Sequence, residues 1–453
     1  MTSMMRRMAP GLMGAAVLAL GLSLAGQASA QDCPDGVVPL TFTFWGSANE
    51  KNDIETAAKH FNDTHPCINV TTMHVPAAGT TYVQKLTTML ASGNPPDLGY
   101  LSENQAFDWA AEGKILDLSP YMGDKPEETY IGPTIYRVGD TLMGTGLATG
   151  VMLIYYNKDV FDAAGVPYPP AKADEAWDWE TFVHNAQLLT KDNAGHNATE
   201  AEFNPDDIDV YGFTMPVWWG GWLPYILSNG GKFASDDGKQ LTLNQPEAVG
   251  AMQALQDLIY KYHVMPNPTQ TSTLPGGDVL MQSRKVAMAE DGMWRVTDFS
   301  KLGINWGLGV LPKLKEPTTA LISAPKVIFA GTKHPKEAFE FYKYISDPAQ
   351  VGLFKAGLWA PMELSYFTEP DKLATWVTAP DGPYPPEAID AVVDYTLHHT
   401  PVQSPPYWLQ NAGQILSEAV DPNVQAMLNG EMTAQEAMDK AAQTAEPMMK
   451  GRW

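Results

Sequence analysis

The stretch that decides the fold is Val151-Met-Leu-Ile-Tyr-Tyr-Asn-Lys-Asp-Val-Phe-Asp-Ala-Ala-Gly-Val166. Its first six residues form a continuous apolar run, which predicts a strand buried on both faces. Asn157 breaks the run and can cap a short helix carrying Val160 and Phe161. Gly165 ends that helix ahead of Pro167. A two-sided buried strand joined directly to a helix is the signature of an α/β protein.

The same alternation runs upstream. Strands are predicted at 40–45, 68–75 and 97–101. Helices are predicted at 53–62, at 82–90 with Val83, Leu86 and Leu90 on one face, and at 106–112, closed by Gly113. Strands alternating with helices predict a parallel, doubly wound sheet. Two composition shifts predict chain crossings: Gly139, Gly144, Gly146 and Gly150, then Pro317, Thr318, Thr319 and Pro325. The polar tract 191–209 reads as a surface insertion. A chain of 453 residues exceeds one core of about 250–300 residues, so two lobes are expected.

Residues 1–30 read as a signal peptide: Arg6 and Arg7, an apolar segment from Gly11 to Leu24, then Ala28-Ser29-Ala30. Removing them leaves 27 basic against 52 acidic residues, a net charge of −25. Such a chain repels nucleic acid and anionic lipid. Cys33 follows Gln31 and Asp32, not the small apolar residues that a lipid-anchored cysteine wants. Cys33 and Cys67, the two cysteines of an exported chain, are expected to pair as a disulfide. The 13 tryptophans and 18 tyrosines include flat apolar faces suited to sugar rings, although most are expected in the core.

No His-Glu-x-x-His, cysteine cluster, acidic calcium loop, Walker A loop, dinucleotide glycine pattern or Gly-x-Ser-x-Gly elbow occurs, so no metal or cofactor is expected. A secreted glycosidase would share the acidity and the aromatics, and would need two carboxylates flanking a bond. A binding protein for a polyamine would want the same residue types. Ligands of open α/β sheets sit beyond the carboxyl ends of strands. That places Ser47, Asn49 and Glu50 after the first strand, and Glu103, Asn104 and Gln105 after the third, as candidate ligand contacts. Ser102 and Asn49 serve equally well as helix caps. Trp218, Trp219 and Trp222 surround paired glycines, as a cleft wall approached closely by backbone would; one of the three is expected in the core.

The segment 151–166 resembles the Tyr-Asn-Lys-Asp-x-Phe-x-x-Ala-Gly stretch of extracellular solute-binding proteins of carbohydrate ABC importers, the maltose-binding-protein-like family. Further matching words follow in the family's order. They are Phe-Trp-Gly at 44–46, Leu-Ala-Ser-Gly-Asn-Pro-Pro-Asp-Leu at 90–98 and Ala-Glu-Gly-Lys-Ile-Leu-Asp-Leu at 111–118. Trp-Asp-Trp-Glu-Thr-Phe at 177–182, Met-Ala-Glu-Asp-Gly-Met-Trp at 288–294 and His-Pro-Lys-Glu-Ala-Phe-Glu-Phe at 334–341 continue the series. The resemblance implies a periplasmic-binding-protein-like fold, with two doubly wound α/β lobes and a ligand cleft between them. It places the first lobe at 31–148 plus 324–400 and the second at 149–323 plus 401–453. It further implies a sugar ligand, hinge closure, a membrane permease as partner, a monomeric protein and no catalysis. In the second lobe Trp294, with Asp291 and Arg295 beside it, matches the family's stacking platform. Trp359 matches a cleft loop, and Trp408 a further aromatic position that reads first as core packing. At Gly150 the maltose-binding proteins carry an acid, so a ligand other than maltose is expected.

Overall fold

The computed structural model describes residues 33–34, 36–76, 80–401 and 406–453. The predicted signal peptide lies outside them. Strand β1 (Val38–Trp45) runs parallel to β2 (Ile68–Val75) on one side and to β3 (Leu98–Tyr100) on the other. Helices Ala48–Thr64, Thr80–Ala91 and Glu103–Ala111 connect and follow them. The first helix begins five residues earlier than its apolar periodicity predicts. Ser47 and Glu50 form a reciprocal capping box that satisfies the first backbone N–H groups. Its buried face is Ile54, Ala57, Ala58 and Phe61, at helical spacing.

Downstream come β4 (Ile135–Val138), β5 (Thr141–Asn157), β6 (Lys191–Asp192), β7 (Ile208–Thr214), β8 (Val286–Gly292), β9 (Trp306–Gly309) and β10 (Leu321–Ile328). The sheet order is β2-β1-β3-β10-β5-β8-β7-β6, with β4 and β9 also paired to β5. The sheet is mixed, which corrects the all-parallel expectation. Strand β10 is antiparallel to both β3 and β5, and β8 is antiparallel to β5. The reason is that β5 crosses from the first half of the molecule to the second and β10 returns beside it. Of the glycines read as a break at 140–150, Gly139 lies in the turn before β5, and Gly144, Gly146 and Gly150 lie inside that 17-residue strand. They serve close approach: a Cβ on Gly146 would fall 1.7 Å from Ser323 Oγ, and one on Gly144 2.4 Å from the Tyr342 hydroxyl.

Three apolar clusters fill the molecule. One covers a face of β1 and β3 with Phe42, Phe61, Tyr100 and Phe341, and continues to Trp376 and Val392. A smaller one on the opposite face holds Tyr82, Trp109 and Phe329. The third packs helices Asp421–Leu428 and Ala434–Ala445 on the second half, with Ile154, Phe213 and Trp222. The segment 384–399 packs in the first cluster through Ala391 and Val392 and also bonds to residues expected in the second lobe. The Tyr395 hydroxyl donates to Thr318 O at 2.8 Å, Thr319 N–H donates to His399 O, and Glu387 pairs with Lys158. As expected, Asn157 caps helix Lys158–Ala164 by accepting from the N–H groups of Asp159 and Val160, and Gly165 ends it with φ +66°. The 191–209 insertion wraps around the buried Asp192 carboxylate, which accepts from the N–H groups of His196 and Asn204.

Cys33 and Cys67 are joined by a disulfide with Cα atoms 5.4 Å apart. It ties the lead-in of β1 to the start of β2, remote from the cleft described below. Closing a loop across a sequence separation of 34 should contribute about 3–4 kcal/mol. Replacing both cysteines with serine should lower the unfolding free energy by that order and leave ligand affinity unchanged. Denaturant titration and calorimetry check the two halves of the statement.

Candidate functional site

A cleft of about 360 Å³ opens where β5 and β10 pass between the two halves. Trp45 ends β1 and Tyr100 ends β3, so both sit at strand carboxyl ends. Glu50 and Glu103 lie in the first turns of the helices that follow those strands. Leu147–Gly150 of β5 and Ile322–Ala324 of β10 form the floor, and Trp294, Leu358 and Trp359 form the far wall.

The rings are fixed by their neighbours. Trp45 makes edge contacts with Tyr82 and Tyr100 at 5.2 and 5.4 Å between centroids. Trp359 meets Phe354 edge-on and is 5% exposed, because Thr149 and Ala360 exchange backbone hydrogen bonds that draw its loop onto β5. Trp294 lies across two glycines. A Cβ on Gly292 would fall 2.2 Å from its ring, and one on Gly150 3.2 Å. Gly150 thus accounts for the missing acid: the indole occupies the space a side chain there would need.

Glu50 accepts the Ser47 N–H at 2.7 Å. Burial pushes the Glu103 carboxyl up to about 8, against a smaller downward pull from its own backbone N–H. Tyr136 and Tyr407 face it; both phenols are raised, by burial first and then by the charge of Glu103. Ser323 donates its hydroxyl to Ala148 O at 2.7 Å, and Thr149 donates its hydroxyl to Ile322 O at 3.3 Å. Among the described residues the lining holds no lysine, arginine or histidine.

Of the residues predicted from sequence, Glu50, Glu103, Trp294 and Trp359 meet in this cleft. Ser47 and Asn49 are exposed at a helix start, Ser47 as its cap. Gln105 is half-buried on the helix after β3, outside the lining. Asn104 turns to a separate cavity of about 180 Å³ beside Tyr407 and Trp453. Trp222 is fully buried in the second core and Trp219 is 5% exposed, its indole N–H donating to the Tyr407 hydroxyl at 2.7 Å. Neither belongs to the cleft wall. The paired glycines beside them accommodate protein: a Cβ on Gly220 would meet the Trp218 ring, and one on Gly221 the Pro216 carbonyl. Trp218 stands behind Trp294, centroids 6.3 Å apart. Trp408 packs under the Arg452 guanidinium, 3.8 Å from its ring centre.

Arg295 is also corrected. It lies outside the cleft lining, and its guanidinium is paired with Asp278 at 2.7 Å, Asp298 at 2.9 Å and Asp291 at 3.5 Å. Asp291 belongs to that network as well, its carboxyl raised to about 6 by burial against the opposing pull of Gly292 N–H and Arg295. Sequence reasoning missed Trp45, Tyr100, Thr149 and Ser323. The strand-end rule that selected Ser47 and Glu103 would have found the two aromatics, at the last residues of β1 and β3, two and three positions earlier. Nothing local marks the two hydroxyl residues, which meet through β5–β10 pairing.

The family model for bacterial extracellular solute-binding proteins matches residues 47–352. The chain belongs to this family. A Brucella abortus protein described only as a binding protein is 26% identical over 336 residues, which is 72% of this chain and 76% of its own length. The sn-glycerol-3-phosphate-binding periplasmic protein of Escherichia coli is 25% identical over 315 residues, 66% of this chain and 65% of its own. The solved cyclic alpha-maltosyl-1,6-maltose binding protein from Arthrobacter globiformis has the same fold. Its TM-score is 0.72 at 19% identity, covering 92% of this chain and all of that one.

Two substitutions separate the cleft from its support. Glu103→Gln removes a group that binds a proton more tightly in the native than in the unfolded chain. The wild type therefore loses stability as pH rises from about 4.5 to about 8, and the glutamine variant does not. Melting curves should coincide near pH 4 and diverge in favour of the variant up to pH 8. A difference independent of pH contradicts the burial of this carboxyl. Arg295→Ala strands three aspartates and should cost about 1–3 kcal/mol of stability with ligand affinity nearly unchanged, measured by denaturation and titration.

Proposed function

We propose that the protein is the periplasmic binding component of a carbohydrate ABC importer, and that it closes over its ligand and presents the closed form to a membrane permease. The observation that carries this reading is the cleft itself, in which the indoles of Trp45, Trp294 and Trp359 frame the carboxyls of Glu50 and Glu103. Flat apolar faces beside hydrogen-bonding groups match the alternating C–H and O–H surfaces of a pyranose. A phosphorylated ligand, such as the one in the name of the Escherichia coli relative, wants a cation that this lining does not supply. The segments shared by the two halves, β5 and β10, are where a hinge would act, and differential contact with the closed state supplies the driving force.

The predicted leader and the disulfide support export to the periplasm. Cys33 is tied to Cys67, which supports a protein without a lipid anchor. Among the described residues no helix is long and apolar enough to cross a membrane. The protein acts as a monomer, without nucleic-acid partner or cofactor. Hydrolysis is the rival reading, since two carboxyls share the cleft. Against it, the family whose model matches this chain is one of solute-binding proteins.

A thermal-shift screen of mono-, di- and oligosaccharides should find a ligand, with about 2.7 kcal/mol gained at a concentration of 100 Kd. Prolonged incubation with that sugar should release no cleaved product; turnover lost on mutating one carboxyl would establish the hydrolase instead. Trp294→Ala should weaken binding by about 2 kcal/mol or more. The unliganded fold should lose less than the about 3–5 kcal/mol of a core tryptophan. Calorimetric titration and a melting curve on this variant measure both.

A further inference from the structure

The hydrogen-bond inventory of the cleft is lopsided. A neutral sugar hydroxyl both donates and accepts, so a site built for one normally offers both kinds of partner. Here the two hydroxyl side chains spend their hydrogens on backbone carbonyls, Ser323 on Ala148 and Thr149 on Ile322, and turn only lone pairs to the cleft. Glu50 keeps one carboxylate oxygen beyond its helix-capping bond. Among the described residues no amide side chain, lysine, arginine or histidine lines the space. The Tyr100 hydroxyl is buried without a partner, so the side-chain donors left in the lining are the indole N–H groups and the proton that burial keeps on Glu103. A positive charge placed beside Glu103 would turn that donor into a second ionised acceptor, and acceptors among aromatic faces with no cation in the lining suit a ligand that brings donors and positive charge.

We infer that the ligand is a cationic sugar, a saccharide bearing a protonated amine, whose ammonium sits between Glu103 and Glu50 against the indole faces. This rests on the sugar-binding reading above and narrows it. An ammonium supplies three donors where the lining supplies acceptors, and its charge favours the ionised form of Glu103. Tyr136 and Tyr407, the other titratable groups facing that carboxyl, stay protonated and do not compete. Burial holds the empty site's Glu103 largely protonated at pH 7, so capture of an ammonium should expel that proton to solvent.

The test titrates the mature protein at pH 7 with three β-1,4-linked disaccharides, of glucosamine, N-acetylglucosamine and glucose, and with spermidine. The glucosamine disaccharide should bind about tenfold or more tightly than either neutral one. Its heat should change with the ionisation enthalpy of the buffer, which reports proton release. Glu103→Gln should abolish both the preference and the proton release. Glu50→Gln, which retains the helix-capping geometry, should reduce the preference and provides the check if the first variant fails to fold. Neutral disaccharides that bind as tightly as the amine overturn this inference and leave the sugar reading standing. So does a preference that survives both substitutions. Binding of spermidine alone overturns the sugar reading and this inference with it, and binding of none of the four overturns this inference and leaves the sugar reading to the saccharide screen above.

Discussion

The pairing of β5 with β10 is the constraint on which the rest of the structure depends. Seventeen residues of β5 cross from one half of the molecule to the other, and β10 returns antiparallel beside them. Because both strands are shared, each half completes its sheet only with backbone from the crossing pair. The register slips between Ser323 and Pro325, opposite the glycines of β5. There the Ser323 side chain, with Met362, fills the space that a Cβ on Gly146 would need. A crossing with small residues and a broken ladder is a place where two rigid halves can change angle without unpacking either core.

The same crossing makes the floor of the cleft. Residues 147–150 and 322–324 line it, with their polar side chains folded back onto the two strands. Strand β10 then buries Lys326, whose ammonium donates to Tyr342 O at 2.7 Å and lies over the Tyr342 ring. Burial lowers its pKa well below the usual lysine value. Burial thus disfavours a charge on Lys326, and Arg295 is paired with aspartates. Neither lines the cleft, whose lining is acidic and aromatic.

The Asn157 cap and the Gly165 stop could be read directly, because a cap is a local transaction between a side chain and backbone N–H groups a few residues away. The three first-lobe strands were legible for the same kind of reason: their apolar patterns state which faces are buried. The mixed character of the sheet was not legible, since the direction of β10 against β5 is set by where a strand far along the chain returns. Segment 384–399 likewise shows no local mark of its contacts with Lys158, Thr318 and Thr319, which lie far away in the chain.

For the site, the chain by itself determined that Glu50 and Glu103 stand at strand carboxyl ends and that Trp294 follows a glycine in a strand-ending turn. Those are consequences of element order, which sequence encodes. Only the tertiary structure decided which tryptophans face the cleft. An indole is equally apolar in a core and on a ligand platform, and Trp222 and Trp294 differ in what packs over them, not in their own chemistry. It also decided the fate of Arg295: Asp291 and Asp298 lie within four residues of it, but Asp278 reaches its guanidinium only once β8 and the helix before it are assembled. Charge and aromaticity were properties of the chain; their direction was a property of the fold.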